Sequence, residues 1–588
     1  MLDSKDVKTI GYVCKYTPIE VLAGFGDDTS FLLPEMASYD YADSRVWPSL
    51  CGYAKSVLER LRGAGYDAVV FTDCCDAMKR VRDVLAADAA SNVPDVKPFI
   101  LGLPRVTTDE AARSYSRNIV DFISGYERYS GRVFDAAAFL RACSDANDDS
   151  VRGGEGYVAV MGARAPRALM KSIGRFSSLP VRDLTCGSRE RHFTDMPNIA
   201  GTYSDLYELM YRYARRLLSQ APCMRMNDIG ARRSFTDDTR LKAVVYHTIQ
   251  FCDFYGFEYA QMPREIPVLK VDTDFTAASS GQLVTRLQAF FESNGILDSG
   301  ARNELSIRFE GKRGDKVMRH KYYAGIDSGS TSTNVVIINR DANIVAAVSV
   351  PSGANSADAA RAALADALAE AGRTAGLCMT MEDMAAVVAT GYGRASVPFT
   401  AENVTEITCH ARGAHSLVPE ARTVIDIGGQ DSKVIRMKPN GGVMEFSMND
   451  KCAAGTGRFL ELMADTLELG IDEMAGTGLH PHKVVGISSM CAVFAESEVI
   501  SLIAKGLRVE DIVWGVDLAI AGRVAGMAYR LGAEPPYIMT GGVAQNAGVV
   551  KALGEKLGER GGQSVGVIVP DVPQLCGALG AALIAREL

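Results

Sequence analysis

The sequence predicts an α/β protein made of two different halves, and three observations lead to that prediction. The chain has 588 residues, enough for three to five domains at roughly 100–200 residues each. Up to about residue 300, short apolar runs alternate with helix-like stretches, which is the pattern of parallel β-sheets. From Tyr322 onward, strands flank glycine-rich turns, so a second kind of α/β domain begins there.

The composition indicates a folded protein with no special attraction to polyanions. Hydrophobic residues make up 47% of the chain and charged residues 23%, which excludes a disordered chain. The net charge of −8 disfavours binding to nucleic acid or to an acidic membrane surface. The N-terminus has no apolar signal-peptide core, and no uninterrupted apolar run reaches the about 18 residues of a membrane span. We therefore expect a cytoplasmic protein without a nucleic-acid or membrane partner.

Two polar stretches divide the sequence. Segment 143–156 is polar and rich in Asp and Gly, and it separates two groups of predicted strands, whereas the basic segment 302–321 is typical of a solvated linker. These stretches predict a first α/β lobe over 1–150, a second over 151–301, a linker over 302–321 and a different domain over 322–588.

The cysteines of the first half follow a pattern. Among the 13 cysteines of the chain, six follow predicted strands or precede predicted helices: Cys14, Cys51, Cys75, Cys186, Cys223 and Cys252. Because ligands bind at the carboxyl ends of parallel strands, these thiols could converge on the cleft between the lobes. Thiolates with few histidines suit an iron–sulfur group or zinc, and the lack of a CxxC pair in the sequence weakens structural zinc. Simple packing in the core is the alternative for each of them. Because Cys74 is adjacent to Cys75, the assignment of a ligand at that position stays open. Cys143 is expected to be helical and structural.

The second half contains three glycine-rich turns that suit phosphate binding. Small residues let backbone N–H groups approach phosphate oxygens, and an aspartate can hold a Mg²⁺–water shell. The sequence contains no P-loop motif. The candidate residues are, in the first turn, Gly325, Asp327, Ser328, Gly329, Ser330, Thr331 and Ser332; in the second, Asp426, Gly428, Gly429, Gln430 and Asp431; and in the third, Gly541, Gly542 and Asn546.

These three turns, in this order, resemble the sugar kinase/Hsp70/actin superfamily of ATPases. The resemblance implies that two hairpin loops clamp the phosphates of ATP and that the Gly541–Gly542 loop holds adenosine. It also implies that Asp327 positions the Mg²⁺ shell and that Asp426 positions the attacking water or the metal.

Two further cysteines narrow the resemblance. Cys452 and Cys491 each precede an amphipathic helix, whose N-terminus stabilises a thiolate. A cubane takes four thiolates, so a two-fold dimer would supply the remaining two. The segments NDKCAAGTGRFLE, CAVFAESEV, DIGGQDSK and VTEITCHARGA closely resemble the activator ATPases of 2-hydroxyacyl-CoA dehydratases and benzoyl-CoA reductases. This implies a homodimer that shares one [4Fe-4S] cluster and uses ATP to deliver low-potential electrons. We interpret Cys378, Cys409 and Cys576 as packing residues, and His410 and His415 as surface or core residues.

The first half resembles the dehydratase component that such activators serve, through GYVCKYTPIEVLAGFG and FCDFYGFEY among other segments. In the dehydratases, three cysteines hold one [4Fe-4S] cubane, and they match Cys51, Cys75 and Cys252. All six cysteines together look more like the double-cubane proteins, whose [8Fe-9S] cluster joins two cubanes through a sulfide. The resemblance then implies an ATP-dependent reductase of a small molecule, with reduced ferredoxin or flavodoxin as electron donor.

Three other functions remain open. One is a 2-hydroxyacyl-CoA dehydratase or aryl-CoA reductase component with its activator fused to it. Another is an electron-delivery or sensory ATPase with no small-molecule turnover of its own. A sugar or acyl kinase shares the ATPase fold but leaves Cys452 and Cys491 unexplained.

Overall fold

The structure is a computed structural model of the full chain. It describes residues 7–47, 49–62, 65–73, 75–88, 96–145, 156–188, 199, 203–220, 223–226, 229–252, 254–263, 265–275, 280–298, 322–375, 379–449, 453–487, 492–559, 562 and 564–588. The chain divides into two compact units, Met1–Leu287 (unit 1) and Gln288–Leu588 (unit 2). The predicted linker 302–321 lies outside the described residues, as does most of the polar segment 143–156.

Unit 1 contains two parallel sheets with the same strand order. The first has the order β2-β1-β3-β4 and the second β6-β5-β7-β8. Neighbouring strands are parallel throughout, for example with Tyr12 opposite Val70 and Gly162 opposite His247. The strands are β1 (Thr9–Tyr12), β2 (Asp28–Phe31), β3 (Ala68–Thr72), β4 (Lys97–Leu101), β5 (Tyr157–Gly162), β6 (Val181–Asp183), β7 (Leu241–Ile249) and β8 (Val268–Thr273).

Helices connect these strands and cover the sheets. The longest of them, α5, begins after Thr108, whose side chain accepts the Ala111 N–H, and ends at Gly131 in the left-handed conformation. Central strands β3 and β5 are buried along their whole length, as expected for sheets covered on both faces. The helices are α1 (Ile19–Ala23), α2 (Asp40–Arg45), α3 (Gly52–Arg62), α4 (Asp76–Asp88), α5 (Asp109–Ser130), α6 (Ala136–Asp145), α7 (Arg167–Phe176), α8 (Leu206–Leu218), α9 (Ile229–Thr236), α10 (Phe254–Tyr259) and α11 (Ser280–Ser293).

Unit 2 is built around two five-stranded sheets with the same topology. Their orders are β11-β10-β9-β12-β13 and β16-β15-β14-β17-β18. In each sheet the first three strands in the chain pair antiparallel, and the last two add in parallel. The strands are β9 (Tyr322–Ser328), β10 (Ser332–Asn339), β11 (Ile344–Pro351), β12 (Met384–Thr390), β13 (Glu402–Asn403), β14 (Thr423–Ile427), β15 (Ser432–Met437), β16 (Val443–Asn449), β17 (Tyr537–Thr540) and β18 (Val567–Ile568).

The helices of unit 2 pack against these sheets. They are α12 (Ser356–Ala375), α13 (Glu406–Leu417), α14 (Gly457–Thr466), α15 (Ile471–Thr477), α16 (Ala492–Ala504), α17 (Val509–Leu531), α18 (Ala547–Gly558) and α19 (Cys576–Glu587). Helices α13 and α19 approach so closely that a Cβ on Gly580 would lie 1.8 Å from the Cys409 carbonyl oxygen. Helix α17 is long and apolar enough to cross a membrane by composition, but 67% of its apolar window is buried, which is typical of a core helix.

The α/β prediction is confirmed in both halves. The duplicated sheet of unit 2 is the arrangement implied by the actin/Hsp70/sugar-kinase resemblance, so that prediction is confirmed as well. Cys143, Cys409 and Cys576 are buried inside helices, as expected for packing residues.

Candidate functional site

All six cysteines singled out in the first half line one cavity of about 80 Å³ in unit 1. The cavity lies at the carboxyl ends of the strands, because Cys14 follows β1, Cys75 follows β3 and Cys252 follows β7. In the order β2-β1-β3-β4, the chain after β1 goes to one edge of the sheet and the chain after β3 goes to the other edge. The two connections diverge between β1 and β3 and leave a crevice there, which is where parallel sheets bind ligands. Cys51 and Cys75 immediately precede α3 and α4, so both thiols lie at helix N-termini.

Electrostatic interactions connect the six thiols in two overlapping groups, one around Cys51 and one around Cys223. Burial, followed by the charges of Cys75 and Cys252, raises the pKa of Cys51 to about 12. Burial likewise raises the pKa of Cys252 to about 11, with Cys186 and Cys75 adding to the effect.

The second group surrounds Cys223. Burial raises the pKa of Cys223, Lys15 opposes the shift, and Cys14 and Cys186 add to it. Cys51 thus interacts with Cys75 and Cys252, and Cys223 with Cys14 and Cys186. The two groups overlap, because Cys252 interacts with Cys186 more strongly than with Cys75.

Cations surround the same cavity, with Arg164 and Lys15 buried and Arg225 half-buried. Arg164 and Arg225 line it, and the Arg225 Nη2 donates to Cys252 Sγ at 3.8 Å. Lys15 is buried beside Cys223 and Cys14, and burial lowers its pKa. Buried positive charge is unfavourable unless anions compensate for it. The wall of the cavity therefore favours an anionic occupant.

The donor set fits an iron–sulfur cluster. Within the described residues, no three His, Cys, Asp or Glu side chains form a site for a single metal ion. In a cubane each iron takes its own thiolate, so the ligands stand further apart than around one ion. Six thiols spread over the wall of one cavity, with cations behind them, provide that arrangement.

A second cavity, of about 320 Å³, lies in unit 2 between the three glycine-rich loops. The first two loops touch, because a Cβ on Gly429 would lie 2.1 Å from Thr331 Oγ1. The third loop begins at Gly541, where φ is +85° and a Cβ would lie 2.4 Å from the Ile427 carbonyl oxygen. Asn546 caps α18 by accepting the Val549 N–H at 3.0 Å. The close approaches at Gly429 and Gly541 therefore require glycine at both positions, where these loops meet.

Two aspartates face this cleft in unlike environments. Asp327 lies near the end of β9 and Asp426 near the end of β14, and both are buried in the cavity wall. Burial raises the pKa of Asp327, an effect that His410 opposes and Asp426 reinforces. Burial also acts on Asp426, but His410, Lys433 and a hydrogen bond from Thr540 together lower its pKa. The lowered pKa holds Asp426 as a carboxylate, whereas the raised pKa of Asp327 means that a nearby cation would favour its ionised form.

Three cleft residues were missed by the sequence analysis: Glu406, His410 and Lys433. Lys433 Nζ lies 2.8 Å from Asp431 Oδ1, 3.2 Å from Asp426 Oδ2 and 3.6 Å from Glu406 Oε2. These carboxylates outweigh burial and raise the pKa of Lys433. His410 lies between the aspartates, with Nδ1 3.4 Å from Asp426 Oδ1 and Nε2 3.9 Å from Asp327 Oδ2. Lys433 belongs to the segment DIGGQDSK together with Asp426 and Asp431, but Glu406 lies outside that segment, and its contact with Lys433 could not be found from spacing.

Most of the predicted nucleotide residues line the cleft: Ser330, Thr331, Ser332, Gly329, Gly428, Gly429, Asp431, Gly541, Gly542 and Asn546, together with Asp327 and Asp426. Gly325, Ser328 and Gln430 are not part of its wall as described. At Gly325 a Cβ would lie 2.0 Å from the Ala578 carbonyl oxygen, so packing of β9 on α19 explains that glycine. Cys452, Cys491, Cys378 and Cys74 lie outside the described residues.

The fold and cleft of unit 2 define an ATPase with an actin-like duplicated core. Two family models match the chain. The BadF/BadG/BcrA/BcrD ATPase family matches residues 324–585, and the 2-hydroxyglutaryl-CoA dehydratase D-component family matches residues 14–178 and 181–294. The chain belongs to the BadF/BadG/BcrA/BcrD ATPase family through its second half, and its first half matches the model of the dehydratase D-component family.

Curated relatives resemble the ATPase half. The activator of lactoyl-CoA dehydratase from Anaerotignum propionicum is 49% identical over 266 residues, which are 45% of this chain and 98% of that protein. The (R)-2-hydroxyglutaryl-CoA dehydratase activating ATPase from Acidaminococcus fermentans is 46% identical over 267 residues, or 45% of this chain and 97% of that protein. The 2-hydroxyisocaproyl-CoA dehydratase activator from Clostridioides difficile is 42% identical over 266 residues, or 45% of this chain and 95% of that protein.

A solved structure also resembles this half. The (R)-2-hydroxyglutaryl-CoA dehydratase component A from Acidaminococcus fermentans has 44% identity and a TM-score of 0.41, and the match covers 45% of this chain and 98% of that one.

Proposed function

We propose that this protein is an ATP-dependent iron–sulfur reductase. Unit 2 would use ATP to deliver low-potential electrons, and unit 1 would hold the cluster that reduces a small molecule. The observation that carries the proposal is the single cavity lined by six cysteines and by Arg164 and Arg225. A packing role for these residues would not explain why all six meet at the carboxyl ends of strands with cations around them.

The proposed occupant of the cavity is a double-cubane [8Fe-9S] cluster. Cys51, Cys75 and Cys252 would bind one cubane, and Cys14, Cys186 and Cys223 the other, in keeping with the two groups of neighbours. When bound, such a cluster supplies low-potential electrons one at a time. The chain itself excludes water from the cavity, offers helix N-termini to the anionic group, and balances its charge with Lys15, Arg164 and Arg225.

The cleft of unit 2 suits MgATP. Asp327, with its raised pKa, gains most from a nearby Mg²⁺ and would position the metal's water shell. Asp426 stays ionised beside Lys433 and would orient the attacking water. We further propose, from the sequence, that Cys452 and Cys491 of two chains share a [4Fe-4S] cluster in a homodimer. Reduced ferredoxin or flavodoxin would be its electron donor.

Iron counting tests the cluster assignment. Protein purified without oxygen should contain about ten irons per chain, from a double cubane plus half of a shared cubane. Cys452→Ser should remove the shared part and lower the count by about two. Near-zero iron in the oxygen-free parent protein would refute the proposal and leave only an ATPase.

An aspartate variant tests the role of ATP. Asp327→Ala should keep the full iron content and abolish ATP-dependent electron transfer to unit 1, measured by paramagnetic resonance before and after ATP addition. Asp341→Ala is the matched control, because Asp341 is exposed in the β10–β11 turn away from the cleft. Undiminished transfer in Asp327→Ala would contradict the mechanism.

A second candidate function is a 2-hydroxyacyl-CoA dehydratase or aryl-CoA reductase component fused to its activator. The match of residues 14–178 and 181–294 to a dehydratase component family favours it. It requires a single cubane in unit 1, so oxygen-free protein would contain about six irons per chain. Turnover of a CoA thioester by such protein would decide for this alternative.

A further inference from the structure

We infer that Arg164 donates hydrogen bonds to sulfur atoms of the cluster in the six-cysteine cavity and thereby raises the reduction potential of that cluster. The inference rests on the proposed function, because it requires an iron–sulfur cluster in this cavity. Arg164 is then a positioning residue for electron acceptance. Its effect acts through the cluster.

The position of Arg164 is fixed by its surroundings. It follows β5 and is 5% exposed in the wall of the cavity. Its guanidinium lies over the rings of Phe31, at 4.5 Å, and Tyr53, at 4.0 Å. Tyr53 is itself held by a 2.8 Å hydrogen bond from its hydroxyl to the Leu32 carbonyl oxygen. With its faces against aromatic rings, the guanidinium has only its edge available for hydrogen bonds.

That edge is only partly used. Nη2 donates to the Val13 carbonyl oxygen. Nε and Nη1 are buried and have no hydrogen-bond partner within the described part of the chain. Apart from Tyr53, the groups that interact most strongly with the guanidinium charge are the thiols of Cys186, Cys14 and Cys75. Two unpaired donors on a buried cation beside three thiols indicate an acceptor that binds in the cavity.

Gly187 makes room for this arrangement. A Cβ on Gly187 would lie 2.2 Å from Arg164 Nε, so the residue after Cys186 must be glycine for the guanidinium to lie where it does. Arg225 is used differently, because its Nη2 already donates to the thiol of Cys252. Arg164 is therefore the cavity arginine whose Nε and Nη1 donors are unpaired among the described residues and available to a bound cluster.

The direction of the effect follows from charge. Reduction adds one electron to an anionic cluster, and hydrogen bonds from a fixed cation stabilise the more negative state. Arg164→Met should thus make the cluster harder to reduce. We expect the equilibrium constant for one-electron reduction to fall at least tenfold, which equals about 59 mV in potential.

The experiment is a redox titration of full-length protein, prepared without oxygen in a Cys452→Ser background so that unit 1 supplies the signal. Arg164→Met, Arg164→Lys and Gly187→Ala are compared with Arg175→Met, which removes an exposed arginine on α7. Iron content and paramagnetic spectra are measured for each. The potential should fall most in Arg164→Met. The potential should fall less in Arg164→Lys, which keeps the positive charge but loses the several N–H donors of the planar guanidinium. It should stay unchanged in Arg175→Met.

The outcomes separate the inference from the proposed function. Equal potentials in the loaded parent, Arg164→Met and Arg175→Met would overturn the inference and leave the cluster assignment intact. If Arg164→Met loses its iron, Arg164→Lys decides: full iron with a lowered potential supports the inference, and a parental potential overturns it. Absence of iron from the parent would overturn the proposed function, and the inference with it.

Discussion

Replacing Gly541 by alanine tests how the third loop of the ATPase cleft is built. Its backbone has φ +85° and ψ 172°, a region confined almost entirely to glycine, where another residue costs about 1–3 kcal/mol. The new Cβ would also lie 2.4 Å from the Ile427 carbonyl oxygen and 2.9 Å from Asp426 Oδ1. A backbone oxygen cannot rotate away, and such overpacking costs about 1–3 kcal/mol. We expect Gly541→Ala to lower the free energy of unfolding by about 4 kcal/mol.

The adjacent glycine is the control. At Gly542 a Cβ would meet nothing within 4 Å, so Gly542→Ala should leave the free energy of unfolding without nucleotide within about 0.5 kcal/mol of the parent. Gly542 also lines the cleft, so its methyl group should still weaken ATP binding. Buried Trp514 in α17 gives a fluorescence signal for urea unfolding of unit 2, since the other tryptophan, Trp47, is 83% exposed.

The two variants therefore separate the strain of the loop from its contact with nucleotide. Equal unfolding free energies for the parent and both variants would refute the account of the loop. An unfolding loss in Gly542→Ala as large as that in Gly541→Ala would do so too. Unchanged ATP affinity in Gly542→Ala, measured by calorimetry, would count against adenosine binding at this loop.

Two further predictions concern buried charges of unit 2. Lys433→Met leaves Asp426, Asp431 and Glu406 without their shared cation and should lower the free energy of unfolding by about 3–5 kcal/mol. Adding Glu406→Gln to that variant removes one of the unpaired carboxylates and should recover part of the loss. If the two substitutions instead lower the free energy of unfolding additively, this interpretation is contradicted. Asp517 is buried with both oxygens unpaired among the described residues, and burial raises its pKa well above the ordinary value. In the native state the Asp517 carboxyl therefore keeps a proton that it releases above about pH 4 in the unfolded chain. The free energy of unfolding of the parent should fall as the pH rises, by up to about 1.4 kcal/mol per pH unit relative to Asp517→Asn. Urea unfolding at about pH 5 and about pH 7 checks this, and a constant difference between the two proteins would refute it.

Much of the fold could be predicted because local signals agree with it. Alternating apolar runs predicted the parallel sheets of unit 1, and glycine-rich turns between strands predicted the hairpins of unit 2. The sequence also predicted that six cysteines follow strands or precede helices, and the parallel topology then brings their ends to one crevice.

The cations and the histidine of the two sites could not be predicted in the same way. Arg164 and Lys433 are ordinary residues in their local segments, and what distinguishes them is burial beside a group that is distant in the chain, Cys14 for Arg164 and Glu406 for Lys433. His410 was interpreted as a surface or core residue, because one imidazole on a predicted helix carries no signal of its own. Only the close packing of α13 on α19 brings it between Asp327 and Asp426.

The duplication of unit 2 explains why its two aspartates differ. In each repeat an aspartate near the end of the first strand is opposite a threonine that ends the fourth strand, Asp327 opposite Thr390 and Asp426 opposite Thr540. A glycine with positive φ follows each threonine, Gly391 at +86° and Gly541 at +85°.

The side chains then break this symmetry. Thr540 donates to Asp426 at 2.9 Å and Lys433 donates to it at 3.2 Å, whereas in the described part of the chain the Thr390 hydroxyl makes no corresponding hydrogen bond to Asp327. One backbone plan thus yields two carboxyl groups with opposite pKa shifts, downward at Asp426 and upward at Asp327. In the proposed MgATP site the two would have different tasks, since the lowered pKa of Asp426 keeps it a carboxylate and a nearby Mg²⁺ would favour the ionised form of Asp327.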